Sequence, residues 1–467
     1  MCKITTMNNL HIKSPEGLSY YPYQVKGIEF AAKRSATMIA DEMGLGKTIT
    51  AIGVLNTLKL PTVLIVVPAS LKLNWEKECD TWLVEKRNVK VIENGKDNFP
   101  IEPDIVIINY DLLDKFKQEL HYRTWSLVIM DECHKLKNPK TKRSTVALDI
   151  RAHRKIVLTG TPIPNKTREL QAIAGYLSPH MFGNFFNFAK RYCGAYRMNI
   201  GRKTVWNFDG ASNLDELRKK LKSSFMIRRK KKDVLDDLPE KTRQIIVLGK
   251  NDYKSVLKKE YTRLNEISEI HKSKAKSGNK YNYPLHELSK VRHEMAMEKV
   301  DHVVEHLENV DHKVVVFAHH KNVIALIKQG LERQGKKVVT LVGDMNIQER
   351  QESIDSFQEG SADVFIGSIQ AAGVGLTLTA SSHCVFAELD WTPANMSQCE
   401  DRLHRISQKN PVLVQHLVVE DSIDFKIADT LVRKQKIADK VLNHDDVNEL
   451  KLNDIKFNQG NFQLDFS

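Results

Sequence analysis

The sequence predicts an α/β protein with two doubly wound parallel-sheet lobes and helical insertions between them. Three observations carry this reading. Short apolar runs rich in Val and Ile alternate with helical patterns in two separate regions. Each run ends in a polar or glycine-bearing turn. A chain of 467 residues is also too long for one core, since a domain holds roughly 100–200 residues.

In the first region, "PTVLIVVP" (61–68), "DIVIINYD" (104–111), "SLVIMDE" (126–132) and "RKIVLTGTP" (154–162) read as buried strands. The second region repeats the pattern in "HKVVVFAHH" (312–320), "KKVVTLVGD" (336–344), "ADVFIGSI" (362–369), "HCVFAELDW" (383–391) and "PVLVQHLVV" (411–419). Strand–helix alternation implies right-handed crossovers and a parallel sheet in each region. Such sheets bind ligands at the carboxyl ends of their strands. Between the two regions, residues 165–290 read as helical and aromatic, as in "GNFFNFAKRYCGAYR" (183–197), and then strongly basic. Within them "HKSKAKSGNKYNYP" (271–284) reads as a solvated loop. The expected organisation is a first lobe over 1–180, a helical insertion and basic connector over 181–292, a second lobe over 293–440 and a tail over 441–467.

Apolar residues make up 41% of the chain and charged residues 28%, the balance of a folded soluble protein. The longest apolar run, "TVLIVV" (62–67), is far short of the ~20 residues that span a bilayer. The N-terminus lacks the apolar core of a secretory signal. The expected setting is intracellular: cytoplasmic (nucleoid-associated) or nuclear, neither secreted nor in a membrane. Six cysteines without a C-x-x-C spacing fit reduced thiols better than a disulfide framework or a zinc knuckle. The net charge is +13, and residues 226–292 hold 18 Lys and Arg against 9 Asp and Glu. Such a balance suits a polyanionic partner, because Lys and Arg displace counterions condensed on phosphates. A solvated basic surface is the alternative on charge alone.

"MIADEMGLGKTITAIGVL" (38–55) reads as a strand, a glycine loop and a helix. Gly44, Gly46, Lys47 and Thr48 supply most of a phosphate-binding loop, with Asp41 where its first glycine usually stands. The glycines admit backbone N–H groups to phosphate oxygens, and the helix N-terminus adds favourable partial charge. Lys47 would meet the β and γ phosphates and the Thr48 hydroxyl would ligate Mg²⁺. Such a loop calls for a carboxylate at the end of a neighbouring strand to hold Mg²⁺ through water. In "DECH", Asp131 is the candidate, and Glu132 would orient the attacking water. A zinc site needs three or four converging ligands, and Cys133 has no cysteine nearby. His134 reads as a hydrogen-bonding link to the second lobe, and Cys133 as a packing residue.

"QCEDRLHRISQ" (398–408) places Arg402 and Arg405 three apart, on one face of a helix, as candidate arginine fingers. A salt-bridged surface helix is the bland alternative. Thr159 and Thr161 in "VLTGTPIPN" (157–165) suit a link between lobe closure and hydrolysis. In "AAGVGLTLTAS" (371–381), backbone N–H groups around Gly373 and Gly375, with Thr377 and Thr379, suit a nucleic-acid phosphate; a plain turn is the alternative. Gln24 in "YYPYQ" (20–24) carries an amide able to pair twice with an adenine edge.

Taken in order, "PYQ", "DEMGLGKT", "VVPASLKLNW", "DECH", "LTGTPIPN", "VVVFAHHK", "AAGVGLTLTA" and "QCEDRLHRISQ" resemble the superfamily-two helicase-like ATPases of the Swi/Snf type. The likeness runs from about residue 18 to about residue 435. "RYCGAY", "FDGASNLDELRKKL", "MIRRKKKDVLDDLPEK", "FAHHK" and "VFAELDWTP" look most like the annealing-helicase (HARP-type) branch. Asp41 in place of glycine is what this family shows. The resemblance implies two RecA-like lobes, with ATP and Mg²⁺ as cofactors. It places Met43, Gly44, Leu45, Gly46, Lys47 and Thr48 on the nucleotide, with Gln24 at adenine. It makes Asp131 and Glu132 the acidic box and Arg402 and Arg405 the fingers, with Gln398 beside them at the lobe interface. Arg228 and Arg229 fall in the family's connector between lobes. Ser407 stands where the family favours glycine, and Tyr21 where arginine or an aliphatic is common.

What the resemblance implies is ATP-driven movement along double-stranded or branched DNA. The leading expectation is a DNA-stimulated ATPase that translocates on duplex DNA and remodels or reanneals branched or partly melted structures. No room is seen for the substrate-recognition domains that annealing helicases carry outside the motor, so fork specificity is not implied, and no histone-reading module is read, so nucleosome remodelling is not expected. A strand-separating helicase or an RNA-directed ATPase is the alternative within enzymes. A non-catalytic scaffold is the alternative outside them, though such proteins typically lose the lysine, the acidic pair or a finger.

Overall fold

The computed structural model describes residues 3–7, 10–162, 166–200, 203–235, 238–276, 285–308, 310–372, 376–425 and 427–428. The chain divides into two compact units: residues 1–193 with 211–237, and residues 194–210 with 238–467. The expected tail over 441–467 lies outside the described residues.

In the first unit a seven-stranded parallel sheet runs in the order Met226–Ile227, Ala36–Ile39, Ala152–Leu158, Trp125–Met130, Val63–Val67, Ile105–Asn109, Val89–Val91. Val63 to Val67 and Ile105 to Ile108 are wholly buried. A strand covered on both faces has no solvent side to alternate with, so it is written as a run of β-branched residues. The acidic strand is not next to the phosphate-loop strand, as the sequence suggested. Ala152–Leu158 lies between them and pairs with both. The segments after Ile39, Leu158 and Met130 therefore line one end of the sheet side by side, and Thr159 and Gly160 sit between loop and carboxylates.

The second unit holds a six-stranded parallel sheet in the order Lys241–Leu248, Val412–Val419, His383–Phe386, Val314–Ala318, Val364–Ser368, Val338–Leu341. Its two faces share out one strand by the period of two. Val315 and Phe317 join Phe357, Phe365 and Phe386 in one core, while Val314, Val316 and Ala318 join Ile324, Ile327 and Leu331 in the other. All five strands expected for this lobe are present.

The stretch between the lobes is less helical than expected. It contains the helices Phe185–Tyr192, Leu214–Ser224, Lys254–Lys276 and Leu285–Glu298, but also an antiparallel pair, Tyr196–Ile200 with Lys203–Asn207. Met226–Ile227 adds an edge to the first sheet and Lys241–Leu248 to the second. Two residues are too few to show a period. In Lys241–Leu248 the run Ile245, Ile246, Val247 was masked by the basic residues around it. The expected loop over 271–284 is helical as far as Lys276, and 277–284 lie outside the described residues. Among the described residues no helix is long and apolar enough to cross a membrane.

The strand Val412–Val419, next to the edge strand Lys241–Leu248, carries a titratable group with a clear consequence. His416 is buried and stacked on Phe386, with ring centroids 5.0 Å apart. Burial pulls its pKa down to about 4, with Glu400 opposing and Arg243 adding to the fall. The folded state thus holds His416 neutral where the unfolded chain protonates it, at about 6.5. Its contribution is complete above pH ~6.5 and is lost as pH falls toward about 4, a change on the order of 3 kcal/mol. Urea-unfolding free energies of the second unit's transition, measured across this window, should fall with acid in the parent protein. They should fall less steeply in His416→Gln.

Candidate active site

The strand Ala36–Ile39 delivers the chain to residues 40–46, which must turn to start the helix Lys47–Leu58. Gly44 and Gly46 take φ of +85° and +67°, where a Cβ is strained. At Gly46 a Cβ would also lie 2.5 Å from Gln24 Nε2. The helix that follows has no side-chain cap at its N-terminus. Its first N–H groups and its dipole suit an anion. Lys47 Nζ donates to the carbonyls of Asp41 (3.0 Å) and Glu42 (3.3 Å), curled into its own loop. Met43 and Leu45 have buried side chains, so any part they take in ligand binding is through backbone groups. Thr48 is half-buried in the first helical turn.

Gln24 is spent on this loop. Its Oε1 accepts from Tyr21 N (2.9 Å), the capping box of helix Pro22–Ala32, and its Nε2 donates to Leu45 O (3.4 Å). Tyr23 Oη donates to the same carbonyl at 3.2 Å. The amide expected to read adenine is buried and bonded at both ends in this structure.

Asp131 and Glu132 follow the strand Trp125–Met130, and both are buried. Trp75 Nε1 donates to Asp131 Oδ2 (2.9 Å), Glu132 N donates to Asp131 Oδ1 (2.8 Å), and Tyr110 Oη donates to Asp131 O (2.7 Å). Glu132 adopts φ 48°, ψ 48°. A non-glycine residue held there stores strain of about 1–3 kcal/mol, a pattern concentrated at functional sites. Burial, and then the charge of Glu132, push the Asp131 carboxyl up to about 6; the Trp75 donor and the Lys47 ammonium only partly offset them. Two adjacent buried carboxylates that raise each other's energy call for a cation. A hard divalent ion with oxygen ligands suits Asp131 and the Thr48 hydroxyl, so the residues fit Mg²⁺.

His134 Nδ1 lies 3.2 Å from Glu132 Oε2, a contact within the first unit. Cys133 is buried, and burial, then Glu132 and Asp131, push its thiol well up, as befits a packing residue. Thr159 is buried and its Oγ1 accepts from Thr161 N at 3.0 Å. Thr161 Oγ1 is buried without a hydrogen-bond partner among the described residues.

In the second unit the helix Pro393–Glu400 stops before the arginines. Arg402 and Arg405 therefore stand on the turn after it, not on a helical face. Past Glu400 the backbone tightens, with Arg402 N donating to Cys399 O (3.0 Å) and Leu403 N to Glu400 O (3.1 Å), and the Arg402 carbonyl accepts from Leu378 N (2.9 Å). Arg402 is buried and donates to the carbonyls of Gln398 (3.1 Å) and Leu376 (3.3 Å). Arg405 donates to Asp401 O (3.2 Å) and to Thr377 Oγ1 (2.7 Å). Burial and then the Arg402 charge draw the Arg405 guanidinium down to about 9, still cationic at neutral pH. Thr379 Oγ1 is 3.3 Å from Ser407 Oγ. The hydroxyls expected to meet a nucleic-acid phosphate are thus knit to the arginine turn, while Gly373 and Gly375 lie outside the described residues. Gln398 Nε2 is buried without a hydrogen-bond partner among the described residues.

The basic connector supplies partners to both motifs. Arg229 pairs with Asp41 in the first unit, and Arg228 Nη1 donates to the carbonyls of Ala40 (2.6 Å) and Gly160 (3.2 Å). In the second unit Glu400, buried beside Arg402, accepts from Arg243 Nε (2.8 Å) and Nη2 (2.6 Å) and from Lys241 Nζ (2.9 Å). Burial would raise the Glu400 carboxyl, but Arg243 and Lys241 outweigh it and hold it at about 2. Sequence reasoning missed the roles of Trp75, Tyr110, Lys241, Arg243 and Glu400. Trp75 was the most findable, since it ends the quoted "LKLNW".

Two parallel-sheet lobes, one ending in a glycine-turned loop and a carboxylate pair and the other in an arginine turn, define the two-lobed fold of the helicase-family ATPases. The family models agree: the SNF2-related domain matches residues 23–299 and the helicase conserved C-terminal domain residues 298–407. The chain belongs to the SNF2-related family. Among curated proteins it is 36% identical over 439 residues to the human DNA annealing helicase and endonuclease ZRANB3, covering 90% of this chain and 40% of that protein. It is 32% identical over 434 residues to the Xenopus tropicalis SWI/SNF-related matrix-associated actin-dependent regulator of chromatin subfamily A-like protein 1, covering 91% and 45%. The chain thus spans less than half the length of these relatives. The Sulfolobus solfataricus SWI2/SNF2 ATPase core in complex with dsDNA aligns with a TM-score of 0.46 and 23% identity, covering 93% of this chain and 94% of that one.

The Trp75–Asp131 hydrogen bond makes a direct prediction. Trp75→Phe keeps the ring in the core but removes the donor that steadies the carboxylate. The Mg²⁺ concentration for half-maximal nucleotide hydrolysis should rise on the order of 10-fold, as for other lost partners of metal-binding groups. A magnesium titration at saturating nucleotide measures it.

Proposed function

We propose that this protein is a DNA-stimulated ATPase that moves along double-stranded DNA and remodels or reanneals branched or partly melted structures. The observation that carries the reading is the pairing of a loop built for phosphate with a strained, buried carboxylate pair at the same sheet end. The names of the relatives support DNA as the track, and ZRANB3 is named an annealing helicase. The site of action follows from the substrate: the nucleoid or the nucleus.

Backbone N–H groups of residues 43–48 hold the phosphates, and Lys47 exchanges the carbonyls of Asp41 and Glu42 for phosphate oxygens. Thr48 and Asp131 hold Mg²⁺, which neutralises phosphate charge when bound. Glu132 orients a water whose oxygen bonds to the γ-phosphorus as the bond to ADP breaks, giving ADP, phosphate and a proton. Arg402 and Arg405 supply positive charge as negative charge spreads over the transferring group. Gln24 braces the loop through Tyr21 N and Leu45 O, and Thr159, Thr161 and His134 pass the state of the nucleotide outward. Thr377 and Thr379 stand at the nucleic-acid side, bonded to the arginine turn.

Steady-state hydrolysis should be measured with no nucleic acid, single-stranded DNA, blunt duplex, forked duplex and RNA at fixed salt. Strong stimulation by duplex or fork is expected; stimulation by RNA or single strands alone would overturn the choice of track. Lys47→Ala should reduce hydrolysis to background while duplex binding stays nearly intact. Retained hydrolysis in that variant contradicts the site.

A further inference from the structure

The basic connector has an obvious reading as a DNA-backbone contact, because Lys and Arg dominate it. The geometry points elsewhere for its second arginine. We propose that Arg229 is a positioning residue of the ATPase: acting through Asp41, it sets the shape of the phosphate loop and hence the affinity for nucleotide. The proposal rests on the assignment of residues 41–48 as a nucleotide loop.

Asp41 is the second residue after the strand end, and its side chain is fully buried. A buried carboxylate without a partner is strongly unfavourable, so the surrounding chain must supply one. Arg229 does so three times over. Its backbone N–H donates to Asp41 Oδ1 (3.0 Å), its Nε donates to the same oxygen (2.9 Å), and its Nη2 donates to Oδ2. This is the two-pronged geometry that a planar guanidinium makes with a carboxylate and that an ammonium does not. The remaining nitrogen, Nη1, donates to Tyr23 O, and the guanidinium carbon lies 5.5 Å from the centre of the Tyr23 ring. Every guanidinium nitrogen is therefore engaged inside the first unit.

The neighbouring backbone follows the same track. Met226–Ile227 pairs with the phosphate-loop strand, Ala40 N donates to Ile227 O (2.8 Å), and Glu42 N donates to Arg229 O (3.0 Å). Lys231 N donates to Glu42 Oε2 at 2.7 Å. The loop is thus sandwiched between helix Pro22–Ala32, which carries Tyr23 and Gln24, and the connector that carries Arg229. Packing around the guanidinium is close: a Cβ on Gly27 would lie 2.7 Å from Arg229 Nη2. Lys47 rests on the carbonyls of Asp41 and Glu42, the two residues that the connector holds. A shift of Asp41 is therefore a shift of the lysine that meets the phosphates. This explains why aspartate stands where a phosphate loop usually begins with glycine. A glycine there would leave Arg229 without its carboxylate.

The two readings of Arg229 separate in measurement. The full-length chain should be prepared with Arg229→Ala, Arg229→Lys and Gly27→Ala, each checked by thermal melting. The readouts are the dissociation constant of a fluorescent ADP analogue with Mg²⁺, the ATP KM and kcat with blunt duplex, and duplex affinity across a salt series. Positioning through Asp41 predicts an analogue Kd and an ATP KM raised on the order of 10-fold in Arg229→Ala, since small misplacements at a reacting centre have effects of this size or more. Arg229→Lys, which keeps the charge and loses the fork, should fall between it and the parent. Gly27→Ala, which crowds the guanidinium without touching its charge, should raise the analogue Kd too. The salt dependence of duplex binding should match the parent in all three. A salt slope reduced by about one in Arg229→Ala, with analogue binding unchanged, would overturn the proposal in favour of a DNA phosphate contact. If Arg229→Ala does not fold, Arg229→Lys and Gly27→Ala decide the question, and unchanged analogue binding in both contradicts it. A parent protein that binds the analogue without hydrolysing ATP would sink the ATPase reading, yet the binding arm would still test Arg229. A parent that binds no analogue at all overturns both.

Discussion

A carboxylate shut away from water has to be matched from within the protein, and here the carboxylate of Asp41 stands at the first residue of the phosphate loop. Its partner, Arg229, comes from nearly two hundred residues further along the chain. The match brings the edge strand Met226–Ile227 to the loop strand and fixes the helix Pro22–Ala32 through Tyr23. It also sets the carbonyls on which Lys47 rests. The shape of the nucleotide loop is thus a long-range property, although the loop looks like a local motif.

The second unit solves a similar problem in the same manner. Glu400 is buried next to the arginine turn, and Lys241 and Arg243 neutralise it from the edge strand Lys241–Leu248 within the connector. Breaking one partner of such a pair leaves the other charge uncompensated, which costs far more than an exposed salt bridge contributes. Part of the positive charge that suggested a polyanionic partner is therefore internal counter-charge. The rest of the +13 net charge is not accounted for by these internal pairs and can act on a polyanion at the surface.

Much of this was legible in the sequence because its signals are local. Buried parallel strands are written as unbroken runs of Val and Ile, and every strand expected from such a run is present. The glycines at 44 and 46 and the acidic pair after "SLVIM" announce a loop and its carboxylates without knowledge of the fold. What could not be read is pairing at a distance. The strand between Ala36–Ile39 and Trp125–Met130 is a matter of sheet order, which no local pattern encodes. Met226–Ile227 is too short to show a period, and Lys241–Leu248 hides the run Ile245, Ile246, Val247 beside charges. The arginines at 402 and 405 have helical spacing, but past Glu400 the backbone tightens, and the carbonyl of Arg402 accepts from Leu378 N, some two dozen residues earlier.

The central claim is that Lys47 is poised on loop carbonyls and transfers to phosphate when nucleotide arrives. A crystal structure of the protein with Mg²⁺ and a non-hydrolysable ATP analogue tests it most directly. The account predicts phosphates against the backbone of residues 43–48, Lys47 Nζ withdrawn from Asp41 and Glu42, and the metal on Thr48 and Asp131. An analogue bound elsewhere, or a Lys47 still on its two carbonyls with phosphate in the loop, would contradict it.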